Sequence, residues 1–238
     1  MYRIRLASRK DAAAVLDLYA PYVTSTTVSF EVEPPSVDEY ADRIQSALDR
    51  HTFLVLERTD NENEGERGLG TAGEAVPAGA DIVGFASYGP FGHRVAYQWS
   101  AEISIYLKQG LTGNGLGAHL LDALEKIMAS AGITNSESCI CSENAGSIEF
   151  HRRHGYRTCA EFTDCAAKFG RWLGIQWLEK HLAPHPENPQ PPHTPAPQDC
   201  ERILAAANAR LARKSLFHLD RKQARRHALG YALGVAHR

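Results

Sequence analysis

No run of about 18 apolar residues occurs anywhere in the 238 residues, so no segment has the length and apolarity of a membrane-spanning helix. The five cysteines are an odd number without a Cys-x-x-Cys pair, which argues against a disulfide framework or a cysteine-held zinc site. Met1–Lys10 alternates apolar and basic residues and lacks the apolar core of a secretory signal, so a reducing cytoplasm is the expected compartment. A Walker loop needs Gly-Lys-Ser/Thr, which is absent, and no Gly-x-Gly-x-x-Gly follows the first strand as a dinucleotide fold requires. Apolar residues are not scarce. At 43% hydrophobic and 23% charged the chain is not a disordered one, and a net charge of −2 makes no case for nucleic acid as a partner of the whole chain.

That small net charge is a sum of unlike parts. Residues 183–198, APHPENPQPPHTPAPQ, hold seven of the twelve prolines and read as an extended, semi-rigid linker. Residues 199–238 carry nine Lys/Arg against three carboxylates, a net of +6, which leaves −8 on the remainder. Within this tail Ile203, Leu204, Ala207 and Leu211 share one helical face, and Ala224, Ala228, Leu229 and Ala232 another. The expectation is a basic, helical or partly ordered solvated tail, through which nucleic acid is a conceivable but disfavoured partner. The division expected is therefore 1–182 as one folded domain, 183–198 as linker and 199–238 as tail.

In 1–182 strand and helix patterns alternate. Tyr2–Ala7 alternates as a strand; a helix capped by Ser8 follows and ends at Pro21; Ser36 caps a second, Val37–Arg50. Thr52–Glu57 and Ile82–Tyr88 read as hairpin strands joined by a long polar loop, Arg58–Ala80. A long strand is expected over Val95–Leu107, an amphipathic helix over Gly115–Ser130, a strand near Ser136–Cys141 and a helix near Ala145–His154. Strands near Tyr156–Cys165 and Leu173–Glu179 complete the order. This is a mixed α/β single domain with one sheet.

The stretch that carries chemistry is Glu102–Gly117, EISIYLKQGLTGNGLG, a strand entering a glycine-rich turn that opens a helix. Glycines at 113, 115 and 117 let backbone N–H groups crowd around an anion, and the helix adds its unpaired N-terminal donors. Such a cradle binds phosphate without a basic side chain.

Strand, Thr112-Gly113-Asn114-Gly115-Leu116-Gly117, amphipathic helix, strand, and the block Asn144-Ala145-Gly146-Ser147 through Phe150-His151 to Gly155-Tyr156 together resemble the GNAT N-acetyltransferase superfamily. Thr27-Val28-Ser29-Phe30-Glu31, Tyr88-Gly89-Pro90-Phe91, Arg94-Val95-Ala96-Tyr97, Trp99-Ser100-Ala101-Glu102, Lys168 and Trp172 narrow the resemblance to its phosphinothricin and methionine sulfone/sulfoximine group. The resemblance covers roughly residues 2–182. It implies a mostly antiparallel sheet flanked by helices, acetyl-CoA as co-substrate, a small-molecule amine as acceptor, a homodimer and no metal. It implies Glu102 as general base with His151 as partner. Cofactor contacts are implied for Leu107, Thr112, Gly113, Asn114, Gly115, Leu116, Gly117, Ala118, Asn144 and Ser147, and acceptor contacts for Phe30, Arg94, Tyr97 and Trp172. Thr112 and Gly113 stand where the superfamily often carries Gln or Arg, and Gly174 stands where the group often carries Asp.

The implied reaction, acetyl transfer from a thioester to an amine, asks for three things. The ammonium must lose a proton, the tetrahedral oxyanion needs a donor, and the leaving thiolate needs a proton. A strand carboxylate made more basic by burial suits the first. A backbone N–H near Leu107, on a splayed strand, suits the second, and a histidine suits the third or shares the first.

Overall fold

The computed structural model describes residues 1–59 and 81–213. The chain begins with β1 (Tyr2–Leu6), α1 (Ala12–Ser25), α2 (Val37–Arg50), β2 (Thr52–Arg58) and β3 (Asp81–Pro90). It continues with β4 (Ser100–Leu107), α3 (Leu116–Ser130), β5 (Asn135–Cys141) and α4 (Ala145–Arg153). Strands β6 (Arg157–Lys168) and β7 (Arg171–His181) follow, and a last helix, α5, runs from 197 to 213. One seven-stranded sheet has the order β1-β2-β3-β4-β5-β7-β6, antiparallel except where β4 meets β5. The expected α/β class and mostly antiparallel sheet are present. The long loop lies outside the described residues but for Arg58, which ends β2, and Thr59; the tail's second helical face lies outside them altogether.

Three expected boundaries differ, each for a local reason. Pro21 lies inside α1 and does not end it. The strand expected from Val95 starts at Ser100, because Val95–Tyr97 forms a 3-10 turn. The last two strands are longer than expected and joined by Phe169 and Gly170, with φ of 53° and 74°, a pair of left-handed residues that matches the twist of a tight hairpin.

Two cores cover the sheet. One face packs against α1 and α2 through Val15, Tyr19, Val23, Tyr40, Ile44 and Phe85. The Ser36–Glu39 capping box fixes the start of α2 there. The other face packs against α3 through Leu120, Leu121, Leu124 and Ile127, and α5 adds Cys200, Ile203, Leu204, Ala207 and Leu211 to the same cluster. The apolar face read in 203–211 is thus buried against the body, where a solvated segment was expected. The proline-rich stretch leading to it is also docked: Trp99 donates from Nε1 to the Gln190 carbonyl at 2.9 Å, and His193 N–H donates to the Ala131 carbonyl at 3.0 Å.

Candidate active site

A cleft of 1080 Å³ opens where the sheet comes apart. β4 and β5 pair in parallel only at Ser100–Glu102 with Asn135–Glu137, and beyond that the two strands diverge. Ile103–Leu107 stay bonded to β3, while Ser138–Cys141 stay bonded to β7. Each strand therefore turns one unpaired backbone edge toward the gap, an arrangement that leaves donors and acceptors for a ligand to use.

At one end of the gap the glycine-rich turn opens α3. Gly115 is the N-cap with φ 76°, a left-handed conformation that glycine adopts without penalty, and no side chain caps the helix. The first-turn N–H groups and the positive end of the helix dipole are thus left for an anion. Gly117 is close to Phe150 of α4, whose ring would lie 3.4 Å from an added Cβ. The far wall is α4, whose N-cap Asn144 accepts the Ser147 N–H at 3.1 Å. That bond commits Asn144 Oδ1 to the helix and leaves its amide N–H groups to donate.

The segment between α1 and α2 closes the cleft from above and is held at three points. Lys168 donates from a buried Nζ to the Ser29 carbonyl at 2.6 Å, and Tyr19 shares a 2.6 Å hydrogen bond with Ser29. Glu143 accepts from Arg171 Nη2 at 2.8 Å and from Thr27 at 3.4 Å, tying this segment to the β6–β7 hairpin. Tyr22 donates to the Leu107 carbonyl at 2.5 Å, so that carbonyl is satisfied inside the protein.

Glu102 and His151 both line the cleft. Burial raises the Glu102 carboxyl above the ordinary carboxylate range, and no hydrogen bond or ion pair reaches it among the described residues. A carboxylate so placed is a stronger base than one in water. His151 is 1% exposed, and burial lowers its pKa. Its Nδ1 lies 2.8 Å from the Ser147 carbonyl, which can only accept, so Nδ1 carries the hydrogen. Nε2 then presents a lone pair and accepts from Ser138 Oγ at 3.3 Å. The ring is held neutral, in one tautomer, with its basic nitrogen turned to the serine.

Of the residues expected to touch cofactor, Leu107, Thr112, Gly113, Gly115, Gly117, Ala118, Asn144 and Ser147 line the cleft. Asn114 is exposed on the turn, with its side chain donating to the Leu111 carbonyl, and Leu116 is buried in the core beneath α3. Of the residues expected to touch acceptor, Phe30 lines the cleft. Arg94 is exposed, Tyr97 packs on Phe91 beside Gly92, and Trp172 is 66% exposed. These three stand outside the cleft of a single chain because the 3-10 turn and the hairpin end carry them onto the outer surface. Gly174 has no room for the Asp of the resembling group, since a Cβ there would lie 2.7 Å from the Phe162 carbonyl. Tyr22 and Ser138 also line the cleft, and no motif marked them; only the alternation of β5 and the helical spacing of α1 bear on where they point.

Known proteins are similar to this chain in sequence and in fold. Residues 77–177 match the family model described as an acetyltransferase (GNAT) domain. The phosphinothricin N-acetyltransferase of Streptomyces coelicolor is 26% identical over 180 residues, spanning 76% of this chain and 96% of that protein. The L-methionine sulfoximine/L-methionine sulfone acetyltransferase of Pseudomonas aeruginosa is 34% identical over 110 residues, 46% of this chain and 64% of that one. An acetyltransferase of Salmonella typhimurium, solved with its cofactor acetyl-CoA, superposes with a TM-score of 0.66 at 25% identity over 79% of this chain and 98% of that one. With that domain matched across the glycine turn, the splayed strands and α4, residues 77–177 carry an acetyltransferase (GNAT) domain.

Proposed function

We propose that the chain transfers the acetyl group of acetyl-CoA to the amine of a small amino acid or a toxic analogue of the phosphinothricin or methionine sulfone type. The observation that carries this is the pairing of an uncapped α3 N-terminus with an unpartnered, half-buried carboxylate across one continuous cleft. The curated relatives named for those acceptors support the substrate class. The backbone N–H groups of Gly115–Ala118 would hold the pyrophosphate, and Asn144 with the open edge of β5 would hold the pantetheine arm. The residues present fit that group, because the donors it needs are the ones the protein leaves unpaired.

In this reading Glu102 removes a proton from the acceptor's ammonium, directly or through one water. The freed amine attacks the thioester carbon, and an N–H on the open edge of β4 donates to the oxyanion. The C–S bond then breaks, and the departing thiolate takes a proton while the amide forms. His151, held neutral with Ser138 on its Nε2, has no Nε2 proton to give at the outset; it takes the second proton from the cationic nitrogen of the tetrahedral intermediate and passes it to the departing thiolate. Phe30, above the cleft, would contact the acceptor.

A second copy of the chain is the proposed partner. Phe91, Tyr97, Phe162 and Trp172 leave an aromatic surface exposed on the β3–β4 connection and the β6–β7 hairpin, where Arg94 also lies. The cytoplasm is the proposed compartment. In domain terms, residues 1–182 hold the whole acetyltransferase site, and 183 onward is an addition to it.

Thiol release from acetyl-CoA across a panel of amino acids, with phosphinothricin and methionine sulfone included, tests the reading. Turnover on one of them, lost by at least about a hundredfold in Glu102→Gln with little change in KM for acetyl-CoA, is the expected result. A peptide N-terminus is the second reading. It is favoured by a solved ribosomal-protein-alanine N-acetyltransferase from Brucella melitensis, which superposes at a TM-score of 0.62 and 27% identity. Turnover on alanyl peptides with silence on the free amino acids would select it.

A further inference from the structure

Beside the cleft, three strands bring two carboxylates and a thiol together. Glu137 on β5 and Glu179 on β7 are direct register partners, so their side chains leave the same face of the sheet. Glu179 is in turn opposite Arg157 on β6. The β6 register shifts between Thr158 and Ala160, and Cys159 is the extra residue of that bulge. A bulge re-aims the side chain it carries, and here the thiol joins the two glutamates. Ligand atoms of Glu137, Cys159 and Glu179 all lie within 4.8 Å of one another.

The cluster contains a carboxylate without a protein partner. Glu137 is 6% exposed, and no hydrogen bond or ion pair reaches its carboxylate among the described residues. Its register partners on both sides, Glu102 on β4 and Glu179 on β7, are carboxylates as well. Arg157 holds Glu179 through Oε1 at 2.6 Å and does not pair with Glu137, while His181 stands 4.0 Å from Glu179 Oε2. Cys159, exposed at the surface, donates its thiol hydrogen to the Trp177 carbonyl at 3.3 Å. A mostly buried carboxylate without a protein donor is one that a cation would stabilise.

The geometry points to a binding site for a divalent transition-metal ion of the zinc class, with Glu137, Cys159 and Glu179 as its protein ligands. One thiolate with two carboxylates is a donor set for a borderline ion, too soft for magnesium or calcium and suited to tetrahedral coordination with water in the fourth place. On binding, the ion displaces the thiol hydrogen of Cys159 and whatever proton Glu137 retains. Those protons go to the buffer, so binding tightens as pH rises. None of the three residues lines the acetyl-transfer cleft, and the inference does not depend on which amine is acetylated.

The test is titration of the full chain, stripped with a chelator, with Co²⁺ and then Zn²⁺. One equivalent of Co²⁺ should give a thiolate-to-metal charge-transfer band in the near ultraviolet, and Zn²⁺ should displace it. Calorimetry in buffers of different ionisation enthalpy should show proton release. Cys159→Ser should abolish the band, and Cys159→Ser and Glu137→Gln should each weaken binding by at least about tenfold. Acetyl transfer by the Cys159→Ser enzyme should be unchanged. Absence of the band with no metal retained in native mass spectrometry overturns the site. Binding that survives both substitutions but falls in His185→Ala also overturns it, because the ion would then sit at the His181–His185 pair, whose rings lie 4.7 Å apart.

Discussion

Replacing Glu137 by Gln, with chelator present, should stabilise the protein at neutral and alkaline pH and leave its stability in acid unchanged. The folded chain holds this carboxyl at about 7, against 4.5 for an ordinary one, because the side chain is buried opposite Glu179. Between those values the native state keeps a proton that the unfolded chain has released. The native state is therefore favoured by this group at low pH, and the wild type loses that contribution as pH rises through the window. At 1.36 kcal/mol per decade the full loss is about 3 kcal/mol. Gln does not titrate, so the variant carries no such slope. The difference between the two should be near zero at pH 4, grow through pH 5 and 6, and level off above pH 7 at about 3 kcal/mol in favour of Gln. For a chain of this size that is a rise in Tm of roughly 6–12 °C. Urea unfolding at a series of pH values reads the difference directly. A difference that does not vary with pH, or a Gln variant less stable at pH 8, would refute the claim that an uncompensated charge is buried there.

Other outcomes follow from the same structure. Ile203→Ala on α5 should cost about 2–5 kcal/mol in denaturant unfolding, since Ile203 is 5% exposed within the main core, whereas a solvated tail would show no change. Gly115→Val should weaken acetyl-CoA binding by calorimetry at least about tenfold, because a β-branched residue cannot hold a φ of 76° at the mouth of the anion cradle. The acid limb of kcat/KM should fall above the ordinary carboxylate range, since the base form of Glu102 exists only above its raised pKa; a limb near pH 4 would remove Glu102 as base. Gly174→Asp should unfold more readily than wild type, by more than about 1 kcal/mol, as its Cβ collides with the Phe162 carbonyl.

What could be read in the sequence was whatever local chemistry enforces. The Ser36–Glu39 box, the leucine stripe of α3 and the glycines before it act within a few residues, so their spacing is legible without knowing the fold. The ordered blocks around Glu102 and His151 also led to residues that share one cleft. Where reasoning from motif position failed, the side chain's direction was set by something non-local. Leu116 sits in the cradle's sequence but turns into the core, and Tyr97 is carried outward by a 3-10 turn where an uninterrupted strand had been expected. Ser138 and Tyr22 touch the cleft because β5 diverges from β4 and α1 brings Tyr22 to the Leu107 carbonyl, facts of packing that no short pattern records. The Cys159 site depends on a one-residue bulge, and register shifts of that kind leave no trace in composition.

The C-terminal addition shows why an apolar stripe is only half of a packing argument. Ile203, Leu204, Ala207 and Leu211 announce that a helix has a face to bury, but the partner is named by groups elsewhere in the chain. Here the partner is the outer edge of the sheet. β1 is the last strand, and an edge strand leaves backbone N–H and C=O groups unpaired. Asn208 Oδ1 accepts the Ile4 N–H at 2.7 Å, and its Nδ2 donates to the Ile4 carbonyl at 2.9 Å, so one amide supplies both bonds that a further strand would make. Arg210 pairs with Asp122 on α3 and fixes the helix from the other side. The proline-rich stretch makes this docking less costly in entropy, because a stiff connection bonded at Gln190 and His193 delivers α5 to the edge with little freedom left to lose. A basic tail with a net charge opposite to the body's thus begins as part of the body's own core, and Asn208→Ala should expose that dependence. Two backbone groups of β1 would lose their partners at about 1–3 kcal/mol, with faster hydrogen exchange at Ile4 than elsewhere in the sheet. Exchange at Ile4 unchanged by the substitution would mean that the apolar face alone holds α5, and that the amide clamp adds nothing.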